Sequence, residues 1–65
     1  MLEIDMRNAV DISSKTTNFH VLLIRLMRKA DMGNYARLKS VFPNTARVLE
    51  HWIETEEILE GVSYE

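Results

Sequence analysis

Asn18-Phe19-His20-Val21-Leu22-Leu23-Ile24-Arg25-Leu26-Met27-Arg28-Lys29-Ala30 is the stretch on which the fold turns. Phe19, Leu22, Leu23, Leu26, Met27 and Ala30 recur at i, i+3, i+4 and i+7, the spacing that fills one face of an α-helix. Thr17 or Asn18 suits the N-cap, where a short side-chain oxygen accepts a backbone N–H that the helix leaves unpaired. Arg28 and Lys29 fall in the last turn, where cations meet the negative end of the helix dipole. The segment predicts a helix from about Asn18 to Ala30. Val21 and Ile24 lie off the centre of its main stripe, on the side that carries Arg28, so the helix has more apolar surface than one stripe uses.

Downstream, Asp31 is a natural N-cap for a short helix from about Met32 to Val41, with Tyr35, Leu38 and Phe42 on one side. Phe42-Pro43 ends it, because the residue before proline is driven out of helical geometry. Pro43 then suits the first turn of a third helix running to about Thr55. Ala46, Val48, Leu49, Trp52 and Ile53 form its face. Continuing the pattern would set Glu56 in the apolar arc, so a break is expected near Thr55-Glu56. Phe19, Leu23, Leu26, Leu38, Phe42, Leu49, Trp52 and Ile53 are the expected mutual core, with Met27 and Met32 as gap-fillers.

The two ends are less regular. Leu2, Ile4 and Met6 alternate as in a strand, while Ala9, Val10 and Ile12 fit no period, and Ser13-Ser14-Lys15-Thr16-Thr17 is a polar break. Residues 1–15 read as an irregular arm, and residues 56–65 as an acidic tail. The expected fold is all-α: one small domain over residues 1–65, with a three-helix body at 18–55.

Composition narrows the chemistry. The chain has 65 residues and no cysteine. Disulfides and thiolate metal sites are therefore excluded, and a domain of this size buries only about 60% of the surface its unfolded chain exposes. The apolar run Val21-Leu22-Leu23-Ile24 is far short of the ~20 residues that span a bilayer. The acidic start Met1-Leu2-Glu3-Ile4-Asp5 has no signal-peptide character, so a cytoplasmic location is expected. His20 and His51 stand alone, without the nucleophile, base and orienting group of a catalytic site. Glu56 and Glu57 are adjacent and do not converge on one point of a helix. Glycine-rich phosphate loops and metal motifs are absent. Neither catalysis nor a cofactor or metal is expected.

The net charge of −2 hides a division. Lys15, Arg25, Arg28, Lys29, Arg37, Lys39 and Arg47 face a single acid, Asp31, in the central stretch, whereas Val48 onward carries six glutamates and no Lys or Arg. A basic body and an acidic tail can pair within one chain or between two. A protein partner and a homodimer are the expected associations, with Val21, Ile24, Arg25 and Arg28 as the contact residues and the arm or tail as the competing cover for Val21 and Ile24. An alternative is a helix-turn-helix regulator, with Lys29 to Asn34 as the turn, Asn34 reaching a base, and Arg37 and Lys39 reaching phosphate. The acidic overall balance tells against nucleic acid.

Phe19-His20-x-Leu22-Leu23-x-x-Leu26, Lys29-Ala30-Asp31-x-x-Asn34, Leu38, Phe42-Pro43 and Trp52 together resemble short, functionally unassigned helical proteins of bacteria and their phages or mobile elements. The resemblance covers about half the chain, from Phe19 to Trp52. It implies a prokaryotic or phage setting and brings no activity with it. The function expected is that of a non-catalytic adaptor or inhibitor-like protein that self-associates and docks on a larger protein.

Overall fold

A computed structural model describes all residues from Met1 to Glu65, and they form four helices. These are α1 (Leu2–Val10), α2 (Phe19–Lys29), α3 (Met32–Val41) and α4 (Pro43–Thr55). The three helices expected from periodicity, caps and proline lie where they were expected. Asn18 caps α2, its side chain accepting from the Val21 N–H at 2.9 Å. Asp31 caps α3 in the same way through the Asn34 N–H at 2.8 Å. A single residue, Phe42, joins α3 to Pro43 at the start of α4. The break near Thr55-Glu56 is also present: Glu56 closes α4 in the left-handed region, at φ 61°.

The amino-terminal segment corrects the expectation. Residues 2–10 form a regular helix, not an irregular arm, so the body has four helices rather than three. Leu2, Met6 and Ala9 are its buried apolar residues, spaced four and three apart as a helix requires. The strand-like alternation through Ile4 was misleading, because Ile4 points to solvent.

Side-chain bonds show how the helices are arranged. Asp5 of α1 accepts from Asn18, at the start of α2, and from Tyr64. Further along, Arg25 of α2 donates to the carbonyls of Asn8 and Ala9 in the last turn of α1. These orphan carbonyls would otherwise lack partners, and a cation suits that end of a helix. At the other end of α2, the Arg28 guanidinium lies 4.8 Å from the centre of the Trp52 ring, late in α4. Helices α1, α2 and α4 thus run in one general direction, and α3 leads back from the end of α2 to the start of α4. Helix α3 has no buried residue and rests chiefly on α4, where Tyr35 and Lys39 both donate to Glu50.

The tail is a strap, not a solvated extension. From the end of α4 it runs back along the body to the end where α1, α2 and α4 begin. Val62 is buried in the core, the Gly61 N–H donates to Glu3 at 3.2 Å, and Tyr64 donates to Asp5 at 2.5 Å. Glu65 accepts from the Asn44 and Thr45 N–H groups and from the Thr45 hydroxyl. Phe42 caps α4 with no side-chain bond, so Glu65 supplies the acceptor that this N-terminus lacks. The radius of gyration is 10.8 Å, against about 10.7 Å for a compact chain of this length, so neither end of the chain projects.

The core joins Leu2, Met6 and Ala9 of α1, Val21, Leu23, Ile24 and Met27 of α2, Ala46, Val48 and Leu49 of α4, and Val62 of the strap. Leu23 and Leu49 take the central places expected of them. Leu38, Phe42 and Trp52 pack on the margin. Phe19, Leu26 and Ile53 do not join the core; each is more than half exposed. Helix α2 is turned by about one residue, ~100°, from the orientation its main stripe predicted. Helix α1 and the strap supply the missing wall. With both in place, Val21 and Ile24 face inward.

Candidate protein-binding face

Four residues were expected at a partner interface, and the structure places none of them on an open apolar face. Val21 and Ile24 are 0% exposed. Of the two covers that sequence allowed, the amino-terminal segment is the one that seals α2, and as a helix. Arg25 is half-buried and committed to the end of α1. Arg28 is exposed, but its guanidinium lies over Trp52. Val21 and Ile24 are core, yet α2 does carry exposed apolar side chains. They lie on the other side.

That side carries Phe19, Leu22 and Leu26, which are 62%, 49% and 51% exposed. They recur at i, i+3 and i+7, almost opposite the buried positions Val21, Ile24 and Met27. Lys29, one turn beyond Leu26, continues the row as an exposed cation. The result is a short outward stripe on a helix that is apolar on both sides. The Phe19 ring lies 5.8 Å from that of Phe42 and 5.2 Å from that of His20. The stripe therefore begins on an aromatic cluster, which also holds Tyr64, 4.3 Å from His20. Ile53 near the end of α4, Met32 at the start of α3 and Val41 at its end are further exposed apolar side chains.

The residues of the DNA-binding alternative are engaged within the chain. Asn34 is bonded by its backbone and side-chain amide to Asp31, and its carbonyl oxygen accepts from Arg37 at 3.1 Å. Lys39 and Glu50 form the one ion pair of the structure, at 2.9 Å. Tyr35 shares that carboxylate at 2.6 Å. The Tyr35 and Lys39 donors hold the Glu50 carboxyl below its ordinary range, while burial and the facing Glu50 push the Tyr35 phenol up.

Neither histidine is bonded to a carboxylate. His20 packs among Phe19, Phe42 and Tyr64, and its buried Nε2 has no hydrogen-bond partner. His51 is half-buried on α4. Glu56 and Glu57 are exposed past the end of α4. No group of three or more His, Asp or Glu side chains is placed to hold a metal ion, and the surface has no pocket. No helix is long and apolar enough to cross a membrane. The chain matches no protein-family model, no curated protein and no solved structure.

Sequence reasoning saw Phe19, Leu22 and Leu26 and assigned them inward. One signal bore on the choice. Asp5 and Asn18 are a complementary acceptor and donor, and pairing them brings α1 onto the Val21–Ile24 side of α2. A separation of thirteen positions makes such a pair invisible to local spacing.

Proposed function

We propose that this chain is a non-catalytic protein-binding domain, adaptor-like or inhibitor-like, that docks through the outward stripe of α2. One observation carries the reading: Phe19, Leu22 and Leu26 form a continuous apolar row on a helix whose opposite side is already used by the core. Exposed apolar residues scattered singly are ordinary, whereas a contiguous row rimmed by polar groups is characteristic of an interaction site. Helix-in-groove recognition reads such i, i+3, i+7 anchors. Asn18 and Lys29 bracket the row with polar groups. The setting proposed is the prokaryotic or phage cytoplasm, on the resemblance described above.

DNA recognition is the weaker reading. Asn34 and Lys39 would have to leave Asp31 and Glu50 before reaching a base or a phosphate. The helix carrying them packs on α4, whereas a helix-turn-helix seats its second helix on its first.

Site-specific photo-crosslinking tests the protein-binding reading. With p-benzoylphenylalanine incorporated at Leu22, irradiation in producing cells yields a discrete protein adduct. The same group at Arg47, on an exposed position of α4, yields none. Equal adducts from both positions, or none from Leu22, would overturn the reading.

A further inference from the structure

We infer that the end of the strap, Gly61 to Glu65, is a latch: it leaves the body as one unit while the four helices stay folded, and two polar atoms buried against it without partners favour its release.

The latch is held by polar bonds more than by apolar contact. Val62 is the one buried residue between Gly61 and Glu65, whereas α1, α2 and α4 each place at least three apolar residues in the core. The segment makes no backbone–backbone hydrogen bond, either within itself or to a helix. Its attachments run through side chains of one partner or the other. The Gly61 N–H donates to Glu3, the Ser63 carbonyl accepts from the Asn44 side chain, and the Tyr64 hydroxyl donates to Asp5. Glu65 accepts from the Asn44 and Thr45 N–H groups and from the Thr45 hydroxyl. These bonds interlock. Asn44 grips Ser63 with its side chain and Glu65 through its backbone, and Tyr64, between them, is fixed to Asp5. With no ladder of its own and one apolar anchor in its middle, the segment has no structure to keep once that anchor leaves its seat.

Closing the latch also costs free energy. Glu3 accepts Gly61 with one carboxylate oxygen, and its other oxygen is buried without a partner. The His20 ring lies 4.3 Å from the Tyr64 ring, and its Nε2 is buried without a partner. No other buried side-chain nitrogen or oxygen lacks a partner, and the closed latch touches both of these residues. A polar group buried unpaired loses its hydration and gains nothing in return. Opening restores both atoms to water. Sub-global opening falls on segments with few buried apolar contacts, and here the orphaned atoms add to that tendency. Gly61 is the pivot. It is exposed and sits at φ 78°, a region that glycine enters without a side-chain penalty.

Native-state hydrogen exchange on the full chain, followed by nuclear magnetic resonance, tests the inference. Asn44 and Thr45 stand in the first turn of α4, where the helix offers no acceptor. Their N–H groups are therefore protected only while Glu65 is in place. Gly61 reports the other end of the latch. All three amides should show one protection factor, equal within about threefold and at least about tenfold below that of Leu49 in the core. Low urea should speed exchange at Leu49 and leave the three almost unchanged, because the latch exposes little surface when it opens.

Two variants read the coupling. Glu65→Ala should speed exchange at Gly61 about tenfold, although Gly61 keeps its own acceptor. His20→Phe keeps an aromatic ring against Tyr64 and removes the unpartnered nitrogen, and it should slow exchange at all three amides about fivefold or more. If circular dichroism shows that His20→Phe has disturbed the helices, His20→Leu carries the same test. Unprotected exchange at Asn44 and Thr45 would mean that the tip is loose rather than latched. Exchange of all three with the protection and urea response of Leu49 would mean that the strap leaves only with the whole fold. Either result, a Gly61 amide indifferent to Glu65→Ala, or a failure of both His20 variants to slow exchange would overturn the inference.

Discussion

Ile24→Ala and Leu22→Ala are two residues apart and should differ several-fold in cost. Ile24 is fully buried between α1 and α4 and sits on the inward face of α2. Removing its branched side chain discards the transfer free energy of the lost carbons and leaves a cavity that close packing only partly refills, about 2–5 kcal/mol in all. A domain of this size has a total stability of roughly 3–10 kcal/mol at 0.05–0.15 kcal/mol per residue. The variant should therefore lose roughly half its stability, and at the upper end of the range it will not fold. Leu22 is half exposed and leaves no sealed cavity when shortened. Only the covered part of its transfer free energy is lost, about 1 kcal/mol or less.

Urea unfolding followed by far-ultraviolet circular dichroism measures both, at a few micromolar so that association does not contribute. With a slope near ~1 kcal/mol per molar for a small chain, Ile24→Ala should lower the midpoint by about 2 M or more. Leu22→Ala should lower it by about 1 M or less at unchanged slope. Equal losses would mean that α2 is not turned as described. A larger loss at Leu22 would restore the orientation in which Phe19, Leu22 and Leu26 face the core, and the outward stripe would cease to exist.

Two further outcomes follow from the backbone and the strap. Glu56→Gly should stabilise the chain by about 1 kcal/mol, because Glu56 ends α4 at φ 61°, where a side chain costs energy and glycine does not; a thermal midpoint that fails to rise would show that the turn is relaxed. The phenols of Tyr64, bonded to Asp5, and of Tyr35, buried and facing Glu50, are both raised above the ordinary tyrosine value. Each proton is held more tightly in the folded chain, so their contribution is complete below about pH 10, the unfolded value, and is lost as pH climbs through the folded values. Alkaline urea titrations should show this loss, and Tyr64→Phe should flatten the strap's share of it. An unchanged alkaline slope in that variant would remove the Tyr64–Asp5 bond from the account.

The limits of α3 and α4 were legible because local chemistry sets them. Asp31 offers a cap oxygen, Pro43 cannot continue α3 but can start α4, and Glu56 would have broken the apolar arc. The existence of α2 was equally legible, but its rotation was not. A helix with apolar residues on both sides satisfies the periodicity in more than one orientation, and only its neighbours decide which side is buried. The deciding neighbour, α1, was hidden by Asp5. This acid lies in the middle of the buried row Leu2, Met6, Ala9 and is only 3% exposed. Its burial is tolerable because Asn18 and Tyr64 each donate to one of its oxygens, and an unpaired buried carboxylate would be costly. Those donors lie 13 and 59 positions away. The strap was illegible for the same reason. It has no period, one buried anchor in Val62, and bonds that reach across the chain to Glu3 and Asp5.

Helix α2 thus sets the fold with one side and offers a surface with the other, and the two roles are linked through mass action. Whatever binds only the folded chain stabilises it by an amount that grows with the logarithm of its concentration. A partner on Phe19, Leu22 and Leu26 would strengthen a core in which Val21, Ile24 and Met27 are held by α1, although it touches none of the three. The coupling is structural as well. The Asn18 side chain accepts the Val21 N–H with its oxygen and donates to Asp5 with its nitrogen. The residue that starts α2 therefore also anchors α1 across it. Loosening α1 would free Val21 and Ile24 and open a second apolar side on the same helix. On the reading proposed above, the outward stripe would be a selective surface only while α1 stays in place, and the bonds from Asn18 and Tyr64 to Asp5 would protect that selectivity as well as the stability of the fold.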